Sequence, residues 1–401
     1  MRSFISPFEN PAPGGEKLQR GLRLTASDRP GQAQPVPERD IPAQPWGKIA
    51  AGVLAVVLVA FGLWEWQMRR LQLEPGYVTD DISAWAAQRH RIASEPVPIA
   101  IVGDSRILFD TDLDRFEALT GIRPVQLALV GTSGRPFLED LASDPKFTGL
   151  VIVGMSEMSY FREGAGLHAA ALEVAQWESP SKRASFQLGR LLTGVSASFD
   201  EQYRLSIKMR QLDRGLRKGA DSPYEDVWKI STMRADRQTR MWPRIESDPW
   251  LRTQARLAWG GFKEKPTEAK VIAMTLSKSA AAVAKIRARG GDVVFLRPPS
   301  TRELRINEEP QLPRAKGWDA LLAATNAKGV HFDDLPAAQN LVLPEYSHLT
   351  AACATVYTDA YVRALARLTP RIKLRADAPP PLQPADCNPA LTRSTTNETA
   401  R

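Results

Sequence analysis

Five short apolar runs, separated by stretches of helical period, constrain this chain more than any other feature. They are Pro98–Gly103, Val125–Val130, Leu150–Gly154, Asp292–Leu296 and Val330–Phe332. Each run is continuous rather than alternating and too short for a helix, as expected of a strand covered on both faces. Between them, Asp110–Leu119 carries Leu113, Phe116 and Leu119 on one face and stops at Gly121, a residue suited to a left-handed helix end. Val271–Arg289 carries Ile272, Leu276, Val283 and Ile286 and stops at Gly290-Gly291, and Thr350–Leu368 turns Val356, Tyr357 and Tyr361 inward. Strands alternating with helices predict an α/β fold built on a doubly wound parallel sheet.

Upstream of the first strand, residues 49–64 carry no charge. At ~1.5 Å per residue they span roughly 24 Å, slightly less than the ~30 Å hydrocarbon layer. Trp46 and Trp66 stand just outside, at interfacial positions. The run is apolar on every face, whereas a core helix of a soluble domain would show one apolar stripe. The polar leader is too long for an ordinary signal peptide, and no small-x-small cleavage site follows. The expected organisation is a disordered cytoplasmic tail over 1–45, a transmembrane signal anchor over 46–66, a connector over 67–95, a globular domain over 96–372 and a disordered polar tail over 373–401. Charge does not settle the orientation, because Arg39 and Lys48 precede the span while Arg69 and Arg70 follow it.

The formal net charge is +8, and residues 181–270 alone carry an excess of that size. They lie within an insertion over 160–270 that reads as mostly helical and bears Trp177, Trp228, Trp242, Trp250 and Trp259. An insertion there lies over the strand ends, where it can act as a lid or docking surface. Its charge suits an anionic partner or is simply a solvated helical face; no nucleic-acid module signature is present. Cys353 and Cys387 form no CxxC pair, and His90, His168, His331 and His348 are scattered, so neither a metal site nor a cofactor is expected. In an oxidising compartment the two cysteines can pair and pin the C-terminal tail to the last helix; the alternative is two unrelated thiols.

The chemistry-bearing positions lie at the two ends of the globular part. Ile99-Ala100-Ile101-Val102 stops at Gly103, and Asp104 and Ser105 follow at once, which is how a strand delivers a serine to the carboxyl edge of a parallel sheet. Near the other end, Glu345-Tyr346-Ser347-His348 sets a carboxylate three residues before a histidine. Serine, histidine and acid form a workable nucleophile, base and orienter. Taken singly, Asp-Ser after a strand is also good helix-capping chemistry, and a histidine at a helix start commonly has no catalytic role.

Gly103-Asp104-Ser105 after a strand resembles the opening block of the SGNH (GDSL-type) hydrolases, and the likeness extends over roughly residues 96–370 outside the insertion. It implies a flavodoxin-like three-layer α/β/α sandwich with a five-stranded parallel sheet. It implies Ser105 as nucleophile and Ser105 N–H as an oxyanion donor, supported by Asp104. Gly131, in Leu129-Val130-Gly131-Thr132, stands where the family uses a glycine N–H as second donor. Ser156, in Val153-Gly154-Met155-Ser156-Glu157, stands where the family usually has an asparagine amide, and a serine hydroxyl reaches less far. Glu345 and His348 replace the usual Asp-x-x-His, with Asp333 or Asp334 as alternative orienters of the ring. A membrane-anchored protein of this kind resembles the accessory proteins of alginate O-acetylation and of D-alanyl transfer to teichoic acids. That likeness implies a periplasmic domain on the bacterial inner membrane, a donor of an acetyl or similar acyl group and an exported envelope polysaccharide as acceptor. It also implies a multi-pass membrane-bound O-acyltransferase as partner. The alternatives are an esterase of glycan or lipid, and a catalytically degenerate scaffold.

Overall fold

The computed structural model describes residues 22–23, 36–37, 43–93, 99–162, 166–200, 229–257, 259 and 265–391. Most of the expected N-terminal tail lies outside these residues, as do Trp228 and the most basic part of the insertion. Within the tail, Leu22–Arg23 pairs antiparallel with Val36–Pro37. The chain divides into two units, Met1–Ala60 and Phe61–Arg401.

Among the described residues one helix, α1 (Trp46–Arg70), is long and apolar enough to cross a membrane, with a mean hydropathy of 2.0 over its most apolar window and none of that window buried. Its 25 residues correspond to about 37 Å, longer than the uncharged core alone. After it comes α2 (Ile82–Ile92), capped by the Asp81 carboxylate, which accepts from Ala84 N–H at 2.7 Å.

The sheet is all parallel and five-stranded. Its strands are β1 (Ile99–Val102), β2 (Val125–Gln126), β3 (Leu150–Gly154), β6 (Asp292–Arg297) and β7 (Lys328–His331), in the spatial order β2-β1-β3-β6-β7. The intervening β4 (Ser231–Met233) and β5 (Thr239–Met241) form a separate antiparallel hairpin inside the insertion, where the sequence predicts mostly helix. Strand residues alternate between two buried clusters, the side-chain period of two that a strand imposes. Ala100, Val102, Val151, Val153 and Phe295 pack with α2, with α5 (Gly134–Ser143) and with α11 (Ala269–Ala288). Ile99, Ile101, Ile152, Val294 and Leu296 pack with α3 (Ser105–Phe109), with α4 (Leu113–Thr120) and with α14 (Ala351–Leu368).

The second strand is shorter than its apolar run because it is an edge. Leu127 and Leu129 still donate to Ile101 and to Gly103 just beyond β1, but among the described residues no strand lies on the far side. There the Arg237 guanidinium, fully buried, donates to the carbonyls of Gln126 and Ala128, while on the β1 side Trp85 Nε1 donates to that of Leu127. The arginine thus occupies the groups another strand would pair with.

The expectation of a disordered tail from residue 373 fails over 373–391. This stretch lacks an apolar period, so its order comes from polar and covalent ties instead. Arg375 N–H donates to Leu119, Arg115 reaches the Pro380 carbonyl at 2.7 Å, and Leu382 N–H reaches Asp359 at 3.1 Å. Cys353 and Cys387 form a disulfide, joining the tail to the first turn of α14.

Candidate active site

Three glycines set the platform. An added Cβ on Gly103 would meet Ile107 at 2.5 Å, one on Gly154 would meet Ile107 at 2.4 Å, and one on Gly134 would lie 3.0 Å from Gly103 Cα. The tips of β1 and β3 and the starts of α3 and α5 therefore converge at a point that admits no side chain. Asp104 caps α3, accepting from Arg106 N–H at 3.0 Å. Ser105 is the first residue of that helix, and its N–H is one of the terminal donors a helix cannot satisfy internally. Gly131 follows the β2 edge at φ +70°. Neither Ser105 N–H nor Gly131 N–H donates to an acceptor among the described residues.

Ser156 is buried at the end of β3, but its hydroxyl donates to Asp104, as does that of Ser159. The single proton expected to face an oxyanion is engaged there, and Asp104 ties the tips of β1 and β3 together.

Glu345 and His348 meet. His348 Nδ1 lies 2.8 Å from Glu345 Oε1, which also accepts from His348 N–H at 2.6 Å and Ser347 N–H at 3.3 Å. Trp259, from the insertion, donates Nε1–H to Glu345 Oε2 at 2.5 Å. Burial alone would raise the Glu345 pKa; the adjacent His348 and these donors outweigh it and hold the carboxyl below its usual range. An ionised acceptor here assigns the ring proton to Nδ1 and leaves the lone pair on Nε2. Asp333 and Asp334 are not orienters: Asp333 takes both ends of Arg305 at 2.9 Å, and Asp334 is held by Arg314 at 2.7 and 2.9 Å.

The His348 ring stacks on Phe109 with centroids 4.3 Å apart. Phe109 is four residues after Ser105 on α3, so the two share a helix face, and a helical side chain leans over the turn before its own Cα. The His348 ring therefore packs against the helix that Ser105 begins. His348 Nε2 is buried without a hydrogen-bond partner, and the Ser105 hydroxyl bonds to no described residue. The expected Ser105–His348 hydrogen bond is thus not formed in this structure. Such contacts often tighten only with substrate.

The loop bearing the histidine is strained and braced. Tyr346 sits at φ +80°, a left-handed conformation that costs a bulky residue about 1–3 kcal/mol. Thr301 N–H donates to its carbonyl at 3.1 Å, and the Arg256 guanidinium lies 4.9 Å over its ring while bonding Pro344 O at 2.7 Å. A buried chain of alternating charge runs beneath. Arg106, next to Ser105, donates to Ser347, next to His348, at 3.1 Å and pairs with Glu308. Glu308 also binds Arg297 at 2.8 Å, and Arg297 binds Glu157 at 2.7 Å. Burial opposes the Glu308 charge, but the two arginines hold its pKa down at about 2. Asp110, fully buried, has its pKa raised by burial; it accepts from Leu349 N–H at 2.9 Å.

Sequence reasoning missed Arg106, Trp259, Arg256 and Glu308. Trp259 was visible only as one of several insertion tryptophans, and the charges carried no motif. Beside the loop, a groove of about 610 Å³ is lined by Ser300, Thr301, Arg302, Phe332, Leu341 and other residues at the end of β6. Among the described residues no cluster of histidine, cysteine and carboxylates is arranged to hold a metal. No family model, curated protein or solved structure matches this chain.

Proposed function

We propose that this protein is a membrane-anchored, SGNH-like serine acyltransferase that moves an acyl group, of the acetyl type, onto a hydroxyl of an exported envelope polysaccharide. The observation that carries the reading is the buried Glu345–His348 pair, whose unpartnered Nε2 belongs to a ring seated on the helix that Ser105 begins. His348 Nε2 takes the Ser105 proton as Oγ attacks the donor's ester carbonyl. The carbonyl electrons form an oxyanion facing the free N–H groups of Ser105 and Gly131. Collapse expels the donor alkoxide, which takes the proton back from Nε2 and leaves acyl-Ser105. A sugar hydroxyl then repeats the sequence in reverse and frees the serine. The groove lined by Thr301 and Leu343 is the candidate seat for the acceptor, and Arg302 in its wall suits an anionic sugar.

In this reading the five-stranded sheet is the centre of a flavodoxin-like three-layer sandwich, α1 anchors the chain in the bacterial inner membrane, and the domain is periplasmic beside a multi-pass O-acyltransferase. The test is glycan acylation in cells carrying Ser105→Ala, alongside fluorophosphonate labelling of the purified protein. Loss of both acylation and labelling is expected; unchanged acylation overturns the proposal. One observation favours a scaffold that has lost turnover. The Ser156 proton is spent on Asp104, leaving two oxyanion donors, and loss of one such donor typically costs ~10²–10³ in rate. A folded wild-type protein that fails to label would select that reading.

A further inference from the structure

Helix α8 (Pro180–Val195) is amphipathic the wrong way round for a soluble domain. Its apolar side chains Leu188, Leu191, Leu192 and Val195 are spaced three and four apart, hence on one stripe. They are 57%, 66%, 37% and 68% exposed, and no residue of the helix is buried. The domain is met from the other side, where Phe186 is half-buried and the Thr193 carbonyl accepts from Gly76 N–H at 2.7 Å. The helix is held at both ends. Before its start, Glu178 accepts from Ser83 at 2.8 Å, and beyond its end Ser196 and Ser198 donate to Glu65 at 2.6 and 2.7 Å. The outward face is therefore a fixed feature.

The bonds to Glu65 say what covers that face. Glu65 is the first charged residue after the long apolar run of α1, so it marks where that helix leaves hydrocarbon. Phe61 and Phe199 meet there with ring centroids 6.1 Å apart. The end of α8 is thus fastened to α1 at the level of the interface. Its sequence contains Lys182, Arg183 and Arg190 and no acid, and Trp177, 72% exposed, stands just before it. An apolar stripe on one side of the helix and basic residues on the other, Arg190 lying 5.8 Å over the Phe186 ring, with a tryptophan at the head, match an interfacial helix on an anionic bilayer.

We infer that α8 lies in the membrane interface beside α1, its Leu188–Val195 stripe among the acyl chains and its basic residues among the lipid phosphates. Two attachments rather than one then fix the rotation of the domain about the α1 axis.

The native cysteines are both in the disulfide, so one introduced thiol can be labelled alone in the full-length chain. Leu191→Cys, Val56→Cys and Lys285→Cys would each carry an environment-sensitive fluorophore in vesicles of phosphatidylethanolamine and phosphatidylglycerol. The expected result is blue-shifted emission, lost to lipid-borne nitroxide, at positions 191 and 56 but not at 285. Emission at 191 that stays aqueous while 56 is quenched overturns the inference, leaves the α1 span intact and makes a protein partner the occupant. Aqueous emission at both positions overturns span and interface together. Vesicles of phosphatidylcholine alone should weaken the quenching at 191 and leave that at 56 unchanged; equal quenching at 191 in both lipids would refute the role of the basic residues.

Discussion

Replacing Glu345 by glutamine separates the two duties of this carboxylate. Oε1 collects three N–H donors from Ser347 and His348, whereas Oε2 serves Trp259 alone. A glutamine therefore keeps its oxygen toward His348 and turns its amide toward Trp259 Nε1–H, donor against donor. The histidine tautomer survives, but the negative charge beside the ring does not. For unit charges about 4 Å apart at an effective dielectric of about 20, that attraction is about 4 kcal/mol. It supports the imidazolium only after the proton has moved, so its loss is expected to slow acylation of Ser105 by about a thousandfold. The orphaned indole donor should separately cost about 1–3 kcal/mol of stability. Fluorophosphonate labelling rates and urea unfolding of the detergent-solubilised protein measure the two effects. Adding Trp259→Phe to Glu345→Gln removes the clash and should recover stability without recovering rate. Labelling of Glu345→Gln at the wild-type rate, or joint recovery of rate and stability in the double variant, refutes the assignment of Glu345 as the charge behind His348.

Two further outcomes can be measured on the same preparation. Cys353→Ser with Cys387→Ser opens a loop with ends 34 residues apart, and on the chain-entropy account should cost roughly 4 kcal/mol by urea unfolding and expose the 373–391 tail to protease; unchanged stability would mean the polar ties alone hold it. Burial, followed by the Arg297 and Arg314 charges, lowers the His331 pKa to about 3, and Asp333 N–H donates to its Nδ1 at 3.1 Å. A folded state that refuses a proton the unfolded chain accepts is stable above pH about 6.5 and loses up to about 1.4 kcal/mol per pH unit as pH falls towards the folded value. His331→Asn, whose oxygen can accept the same N–H, should flatten that slope by about one proton between pH 6.5 and 5; an unaltered slope would place the titrating group elsewhere.

The parts legible in the sequence were those fixed by local pattern. All five strands overlap the continuous apolar runs, with Leu150–Gly154 matching to the residue because it is buried on both faces, while the last strand begins earlier, at the exposed Lys328, and ends at His331. The Glu345–His348 contact was legible because three residues of chain can hardly separate the two groups. What joins distant segments was not. Nothing in the neighbourhood of Arg237 announces that it covers Gln126 and Ala128, and nothing around Trp259 announces Glu345. The β4–β5 hairpin hid because its two three-residue strands lie in an insertion that reads as mostly helical, and the tail from 373 hid because hydrogen bonds and one disulfide leave no hydrophobic period. Ser156 follows its strand in the sequence, but its proton's destination depends on Asp104 at the end of the neighbouring strand.

The way Arg237 closes the β2 flank has a consequence for biosynthesis. Ribosomes add about 5–20 residues per second, so about 5–20 s pass between the emergence of residues 126–128 and that of the arginine that shields them. During that interval the nascent sheet presents bare carbonyls to any extended chain nearby. Correct maturation then calls for a holding chaperone or rapid delivery of the following hundred residues, and slow codons placed in that interval should raise the yield of aggregate more than the same codons placed after it.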